Sequence, residues 1–387
     1  MRLPPEGRRH KVKYQYGIEL GDIVREFGPE YIKLQGDKIL PSQLKALDDI
    51  AKCRTKALGG KRYQCSDCKK DFWVYHCCRN RSCPACHGRD TRMWLNKREA
   101  QLLGCDYYHI VLTVPKEIRS LFLADQKRLY SMFMKTAAQC VIALAKDNRF
   151  VGAIPAILMV LHTWTTDMKY HPHIHMLVSS GGVSEKCDSW ISPRNTKWLI
   201  PVRALSKLFR RRFRKRLKRY SPKVVSLLPE KTWDDGYNAF CKRFGKGDQA
   251  VLNYLGRYVF RIAITNTRIL EMDETHVTFR SKNRKTKKWR NIRIRGEEFL
   301  RRFVMHILPK GFHKVRYYGL WHHSKKDIQK QARLLLEPVP EVERINDLLM
   351  KYLQDRELQN DIFQPECPHC GCKNVFLVAQ IKRTRSP

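Results

Sequence analysis

Two spacings of apolar residues alternate along the chain. Tyr108–Val114, stopped by Pro115, reads as a strand; Ile154–Thr165 is apolar and β-rich, and His173–Val178 is a further run that Gly181-Gly182 breaks. Between and after these, apolar residues recur every three or four positions over about Ala124–Asp147. They do so again at Val202, Leu205, Leu208, Phe209, Phe213, Leu217 and Tyr220, where the intervening positions are almost all Lys or Arg. That spacing predicts a helix with one apolar and one cationic face. Shorter helices are predicted from Pro41, over Arg89–Leu103 and over Asp248–Phe260. Residues 261–294 read as twisted hairpins around the basic turn Lys282–Lys288, and two or three helices follow Gly296. Residues 1–40 lack strong periodicity. Strands and helices interleave, which predicts an α+β fold.

Composition narrows the partner. The 387 residues suffice for two or three domains, and 76 Lys plus Arg against 37 Asp plus Glu give a formal charge of +39. A compact chain so charged repels itself unless it meets a polyanion. With 43% hydrophobic and 10% aromatic residues it can build cores, so it is no disordered basic tail. The longest apolar run, Val151–Leu161, falls short of the roughly 18 residues of a spanning helix. Met1–His10 has no apolar stretch of the secretory kind. No membrane is expected, and the location expected is cytoplasmic.

In that setting the 14 cysteines should be largely reduced, and their clustering points to metal rather than disulfides. Cys65-x2-Cys68 and Cys83-x2-Cys86 form two knuckles that could offer four thiolates to one structural zinc. Cys53, Cys77, Cys78, His76 and His87 exceed what one ion needs, with Cys53 and Cys78 the candidates for a second zinc. Cys367-x2-Cys370-Gly371-Cys372 is half a ribbon, incomplete without His369, the N-terminal cluster or another chain. Closed four-thiolate sites brace or bind and do not catalyse.

Catalytic chemistry is suggested elsewhere. His173 and His175, two apart, share one face of a strand and can grip one ion. Asp167 and His171 are candidates for a third ligand. Tyr254 and Tyr258 fall on one face of a predicted helix, beside the cations Arg257 and Arg261. A tyrosine can attack a DNA phosphodiester, leaving a phosphotyrosine and a free 3′-hydroxyl, and a metal on the histidines would polarise the phosphate.

These residues resemble the transposases of the insertion sequence ninety-one family, in the HUH (His, hydrophobic, His) superfamily. The likeness runs over about residues 40–375: the cysteine array from Cys53 to Cys86, the strand His109–Pro115, His173-Ile174-His175 within the run from His162-Thr163-Trp164 to Gly182, Tyr254-Leu255-Gly256-Arg257-Tyr258, Glu298–Phe303, Leu308–Phe312 and Tyr317-Tyr318-Gly319. The resemblance implies an HUH endonuclease-like antiparallel sheet with flanking helices, a small N-terminal zinc-binding module and a basic C-terminal region. The corresponding divisions are an extension over 1–40, a zinc module over 41–100, a catalytic domain over 101–265 and the basic region over 266–387. It also implies rolling-circle-like transposition through a 5′-phosphotyrosine on Tyr254 or Tyr258, with Mg2+ or Mn2+ as catalytic ion, Zn2+ as structural ion, and a bacterial enzyme that acts on the nucleoid.

For DNA, expected single-stranded or as hairpin ends, the candidate contacts are Arg210, Arg211, Arg212, Arg214, Lys215 and Arg216 on the cationic helix, Arg257 beside the tyrosines, and Lys285, Lys287 and Lys288 in the basic turn. Trp289 and Tyr220 could stack on unpaired bases. A plasmid replication initiator or relaxase could share the His pair and a tyrosine. A zinc-containing DNA-binding regulator would need the cysteines and the basic faces but not both the His pair and the Tyr pair.

Overall fold

A computed structural model describes residues 17–86, 103–195, 197–234, 237–246, 254, 258–259, 261–283, 286–336 and 365–382. The helix expected over Arg89–Leu103 lies outside the described residues but for Leu103, and that over Asp248–Phe260 does too, apart from Tyr254, Tyr258 and Val259. The strands are β1 (Gly60–Cys65), β2 (Asp71–Tyr75), β3 (Asp106–Thr113), β4 (Ile154–Trp164), β5 (Tyr170–Val183), β6 (Trp190–Ile191), β7 (Ala239–Lys246), β8 (Ile269–Met272), β9 (His276–Lys282), β10 (Trp289–Arg295), β11 (Val315–Gly319) and β12 (Val375–Ile381). The fold is α+β, and the strand pairs described are antiparallel.

The largest sheet has the order β11-β4-β5-β3-β7, with β6 on the outer half of β5. Alternation along each strand divides its side chains between two layers. Ile110, Leu112, Ile157, Met159, Ile174 and Met176 pack under the helices Gln126–Ala145 and Val202–Tyr220, meeting Phe133, Met134, Phe209 and Phe213. Each of these fully buried side chains stabilises the layer by roughly 1.5–3 kcal/mol. The opposite face carries Tyr107, Leu158, Val160 and Leu177 against Tyr254, Val259, Leu320 and Trp321. Because β4 is covered on both faces it is apolar at nearly every position, which accounts for the long run Val151–Leu161.

A second core joins segments distant in sequence. The helix Leu20–Gln35 buries Leu20, Ile23, Val24, Phe27 and Tyr31, spaced three or four apart, against the helices Pro41–Ala51 and Gly296–Val304 and the sheet β10-β9-β8. This helix departs from the aperiodic reading of residues 1–40: Gly28-Pro29 interrupts the pattern in sequence, and the helix continues through Pro29. A small third core, Cys65, Phe72 and Cys367, lies within the sheet β12-β1-β2. β11 also departs from the helices expected between Gly296 and the Cys367 cluster, and β12, beyond that cluster, was not anticipated. No described helix is long and apolar enough to cross a membrane.

At the end of β11 Gly319 has φ +62°, and a β-carbon there would lie 1.9 Å from the Pro155 carbonyl oxygen of β4. Gly319→Ala therefore combines left-handed strain with a backbone clash that no rotamer relieves. It is expected to cost about 2 kcal/mol or more, read as a lower urea midpoint, whereas Gly311→Ala, at φ +73° but in open space, should cost about half of that.

Candidate metal and nucleophile site

The cysteines gather into two tetrads, grouped differently from the sequence expectation. Cys53, Cys78, Cys83 and Cys86 form one; Cys65, Cys68, Cys367 and Cys370 form the other. Cys65 and Cys68 thus do not share an ion with Cys83 and Cys86. The reason is topological: β12 pairs with β1 and brings the C-terminal knuckle to Cys65, while the segment after β2 returns to Cys53 beyond the helix Pro41–Ala51. Sulfur–sulfur distances are 3.5 Å for Cys53–Cys86, Cys78–Cys86, Cys65–Cys370 and Cys68–Cys367, and 3.7 Å for Cys53–Cys83. A tetrahedron with zinc–sulfur bonds of about 2.3 Å has edges of about 3.8 Å, so both tetrads fit zinc.

Local backbone supports that fit. Arg54, Lys69, Arg79 and Gly371, each directly after a tetrad cysteine, have φ of 54°, 59°, 54° and 74°. The two knuckles of the ribbon repeat one hydrogen-bond pattern. Cys65 N–H donates to Lys70 O and Lys69 N–H to Cys65 O, both 3.1 Å; Cys367 N–H donates to Cys372 O and Gly371 N–H to Cys367 O, both 2.8 Å. Cys68's backbone N–H, above other causes, holds the Cys65 thiol down to about 6. Cys77 is exposed and outside both tetrads.

The histidines meet across strands. His162 on β4 pairs directly with His173 on β5, and His175 follows two residues on, on the same face. Their ligand nitrogens lie within 4.8 Å of one another. The side chain that joins His173 and His175 is thus His162, and neither Asp167 nor His171 falls in that group. Asp167 is engaged by Thr165 at 2.5 Å and Lys169 at 3.3 Å, and the His171 carbonyl accepts from His173. Each imidazole commits one nitrogen to a hydrogen bond. His162 Nε2–H donates to the Tyr258 carbonyl at 2.6 Å, His173 Nδ1–H to the His171 carbonyl at 2.7 Å, and His175 Nδ1 bonds His109 Nε2 at 2.9 Å. Burial holds His162 and His175 well below the usual imidazole range, with the neighbouring histidines and Arg261 adding to it, and lowers His109 to about 4. Neutral rings keep the lone pairs a metal requires. His109, on β3, had no separate role in the sequence reading, and only its strand neighbourhood marked it.

The tyrosines close the other side. Tyr258 stands 4.2 Å from His175 and 4.8 Å from His109 between ring centroids, and Tyr254 is 4.8 Å from Tyr258. Tyr254 has helical backbone, while Tyr258 and Val259 take a π-helical turn, a local widening frequent at functional sites. Tyr254 is wholly buried, its hydroxyl has no hydrogen-bond partner among the described residues, and burial, then Tyr258, raises it well above the usual phenol range. Tyr258 is half-buried.

The family described as "Putative transposase" matches residues 156–328, and that described as "Transposase zinc-binding domain" matches residues 23–114. "Putative transposase y4qJ" of Sinorhizobium fredii (strain NBRC 101917 / NGR234) is 33% identical over 338 residues, covering 83% of this chain and 84% of the relative. The chain belongs to the insertion sequence ninety-one (IS91) family of transposases. "Transposase for insertion sequence element IS801" of Pseudomonas savastanoi pv. phaseolicola is 24% identical over 296 residues, 72% of this transposase and 70% of the relative. No solved structure matches.

The cationic helix does not share a face of the sheet with the tyrosines, whereas Arg261 lies near enough to His162 and His175 to act on both. The helix Val202–Tyr220 lies under the opposite face of the sheet. On it Arg210 donates to Asp234 O, Arg212 to Gln139 O, Arg214 pairs with Glu230 and lies 5.0 Å from the Trp233 ring, and Arg216 bonds Thr136 and Gln139; Arg211 and Lys215 are exposed. Tyr220 donates to Asp125. Lys287 and Lys288 are exposed beside Trp289, over which Arg280 lies at 5.0 Å. Arg257 and Lys285 are outside the described residues.

Two outcomes are expected of the transposase. Metal analysis should find two equivalents of zinc, falling to one in Cys65→Ala/Cys68→Ala and to one in Cys78→Ala/Cys83→Ala; a single shared ion would give one equivalent in the wild type. The second outcome concerns His306, which is buried, bonded to Thr163 at 3.1 Å and Met168 O at 3.0 Å, and lowered to about 4 by burial. Below a pH of about 6.5 the unfolded chain takes up that proton and the folded chain does not, so stability present above 6.5 is lost as pH falls toward 4, by up to about 3 kcal/mol. Urea midpoints between about pH 7 and 5 should fall less steeply in His306→Gln than in the wild type.

Proposed function

We propose that this transposase nicks and rejoins single-stranded DNA through a 5′-phosphotyrosine intermediate, using an HUH-type catalytic domain over about 101–265 that a zinc module precedes and a basic region follows. The observation that carries the reading is the meeting of His162, His173 and His175 with the Tyr258 ring, from β4, β5 and the 254–259 segment. A regulator that only binds DNA needs no such convergence.

Three imidazole nitrogens suit Mn2+ better than Mg2+, with DNA phosphate oxygens completing the shell. When bound, the ion would withdraw charge from the scissile phosphate and so offset the high phenol pKa of about 10. The chain's own residues do the rest. His109 fixes the His175 ring, and the Tyr258 carbonyl fixes His162, so the nucleophile's own backbone and the ligand set are mutually positioned. The Tyr258 oxygen bonds to phosphorus as the bond to the 3′-oxygen breaks; the phenol loses a proton and the 3′-oxygen gains one. One phosphoester replaces another, and the bond remains available for rejoining without ATP. Half-buried Tyr258 suits the first attack, and Tyr254, buried behind it, a second attack after the segment opens.

Incubation with labelled single strands and Mn2+ should yield a denaturation-resistant adduct. Tyr258→Phe and His162→Ala should each lower its yield about 100-fold or more, and Tyr254→Phe should retain the first adduct. An adduct that survives the double tyrosine substitution would sink the proposal.

A further inference from the structure

A cavity of about 520 Å³ opens on the outer side of the two helices that cover the sheet away from the tyrosines. From one helix it is lined by Gln139, Ile142, Ala143 and Lys146, and from the other by Arg212, Lys215, Arg216 and Arg219. Both sets follow helical spacing, three or four apart and seven end to end, so two stripes face each other. The Arg212–Arg219 stripe is about 10 Å long at 1.5 Å per residue, about the rise of three phosphates of a duplex strand. No acidic side chain lines the cavity. Arg212 and Arg216 are held by Gln139 and Thr136 of the facing helix, while Lys146, Lys215 and Arg219 are exposed at the rim. Fixed guanidinium groups inside and mobile cations at the rim suit a phosphate chain better than a compact apolar ligand.

We propose that this cleft holds the phosphodiester backbone of a DNA segment other than the strand at Tyr258. The sheet separates the cleft from the histidines, so nucleotides at the nucleophile cannot fill both. The segment is duplex DNA, either a flank of the same substrate or a separate molecule. The proposal rests on the DNA-processing reading above for the identity of the polyanion, and not on the tyrosine chemistry.

Ala143→Glu/Lys146→Glu sets two carboxylates against the arginines on a helix that tolerates both, and Ala143→Lys matches the bulk with the opposite sign. Binding of a labelled 20-base-pair duplex to the full chain is measured against salt, alongside adduct formation with a short single strand. In the glutamate variant duplex affinity should fall about tenfold or more, with a salt slope shallower by about one for the lost Lys146 contact. Ala143→Lys should keep wild-type affinity, and the short-strand adduct should persist in both. If the segment is a flank, joining it to the strand raises wild-type adduct yield and the glutamate variant loses that gain; if it is separate, only duplex binding falls. Unchanged duplex binding, an equal loss in Ala143→Lys, or an equal loss of the short-strand adduct would overturn the cleft. Absence of any adduct, wild type included, would count against the phosphotyrosine reading alone, since duplex binding still decides the cleft.

Discussion

The pairing of β4 with β5 is the constraint on which the remaining architecture depends. These strands occupy the middle of the sheet, are covered on both faces, and carry the three imidazoles between them. A slip of one residue in either strand would turn its histidines into the helical layer and its helix-facing apolar side chains out of it. Burial of Met159, Val160, Ile174 and Met176 therefore fixes the register that the chemistry needs. Packing energy and ligand geometry are two readings of one set of strand contacts.

Around that pair the sequence was readable where a single element sufficed. The helices Gln126–Ala145 and Val202–Tyr220 and the strands β3 and β4 follow from apolar period, and His173 with His175 from strand alternation. What failed was anything decided between elements. His162 lies opposite His173 only because β4 and β5 pair, which no local spacing encodes. The cysteine spacing identified knuckles correctly and could not say which knuckle faces which, since β12 was not expected. Gly28-Pro29 concealed a helix whose buried face, Leu20, Ile23, Val24, Phe27 and Tyr31 among it, becomes evident only against the helix Gly296–Val304.

The tetrad of Cys53, Cys78, Cys83 and Cys86 is also linked to the large sheet. Between Cys78 and Cys83, Arg81 donates to the carbonyls of Leu308, Pro309 and Phe312, at 2.7, 2.8 and 2.6 Å. That loop leads to Lys314 and β11, at the edge of the sheet beside β4. A four-cysteine cluster that leaves no position for substrate is thus still tied to the sheet, through the arginine that holds the loop leading to its edge strand.

The ribbon tetrad unites Cys65 with Cys370, 305 residues later in the chain. At synthesis rates of about 5–20 residues per second, its first knuckle waits about 15–60 s for its second. Through that interval Cys65 and Cys68 are only half of their tetrad. Closing so long a loop is also entropically late. The ribbon therefore cannot form until β12 is present: a chain that stops short of it has every cysteine of the Cys53 tetrad and still lacks the sheet β12-β1-β2 as a finished unit.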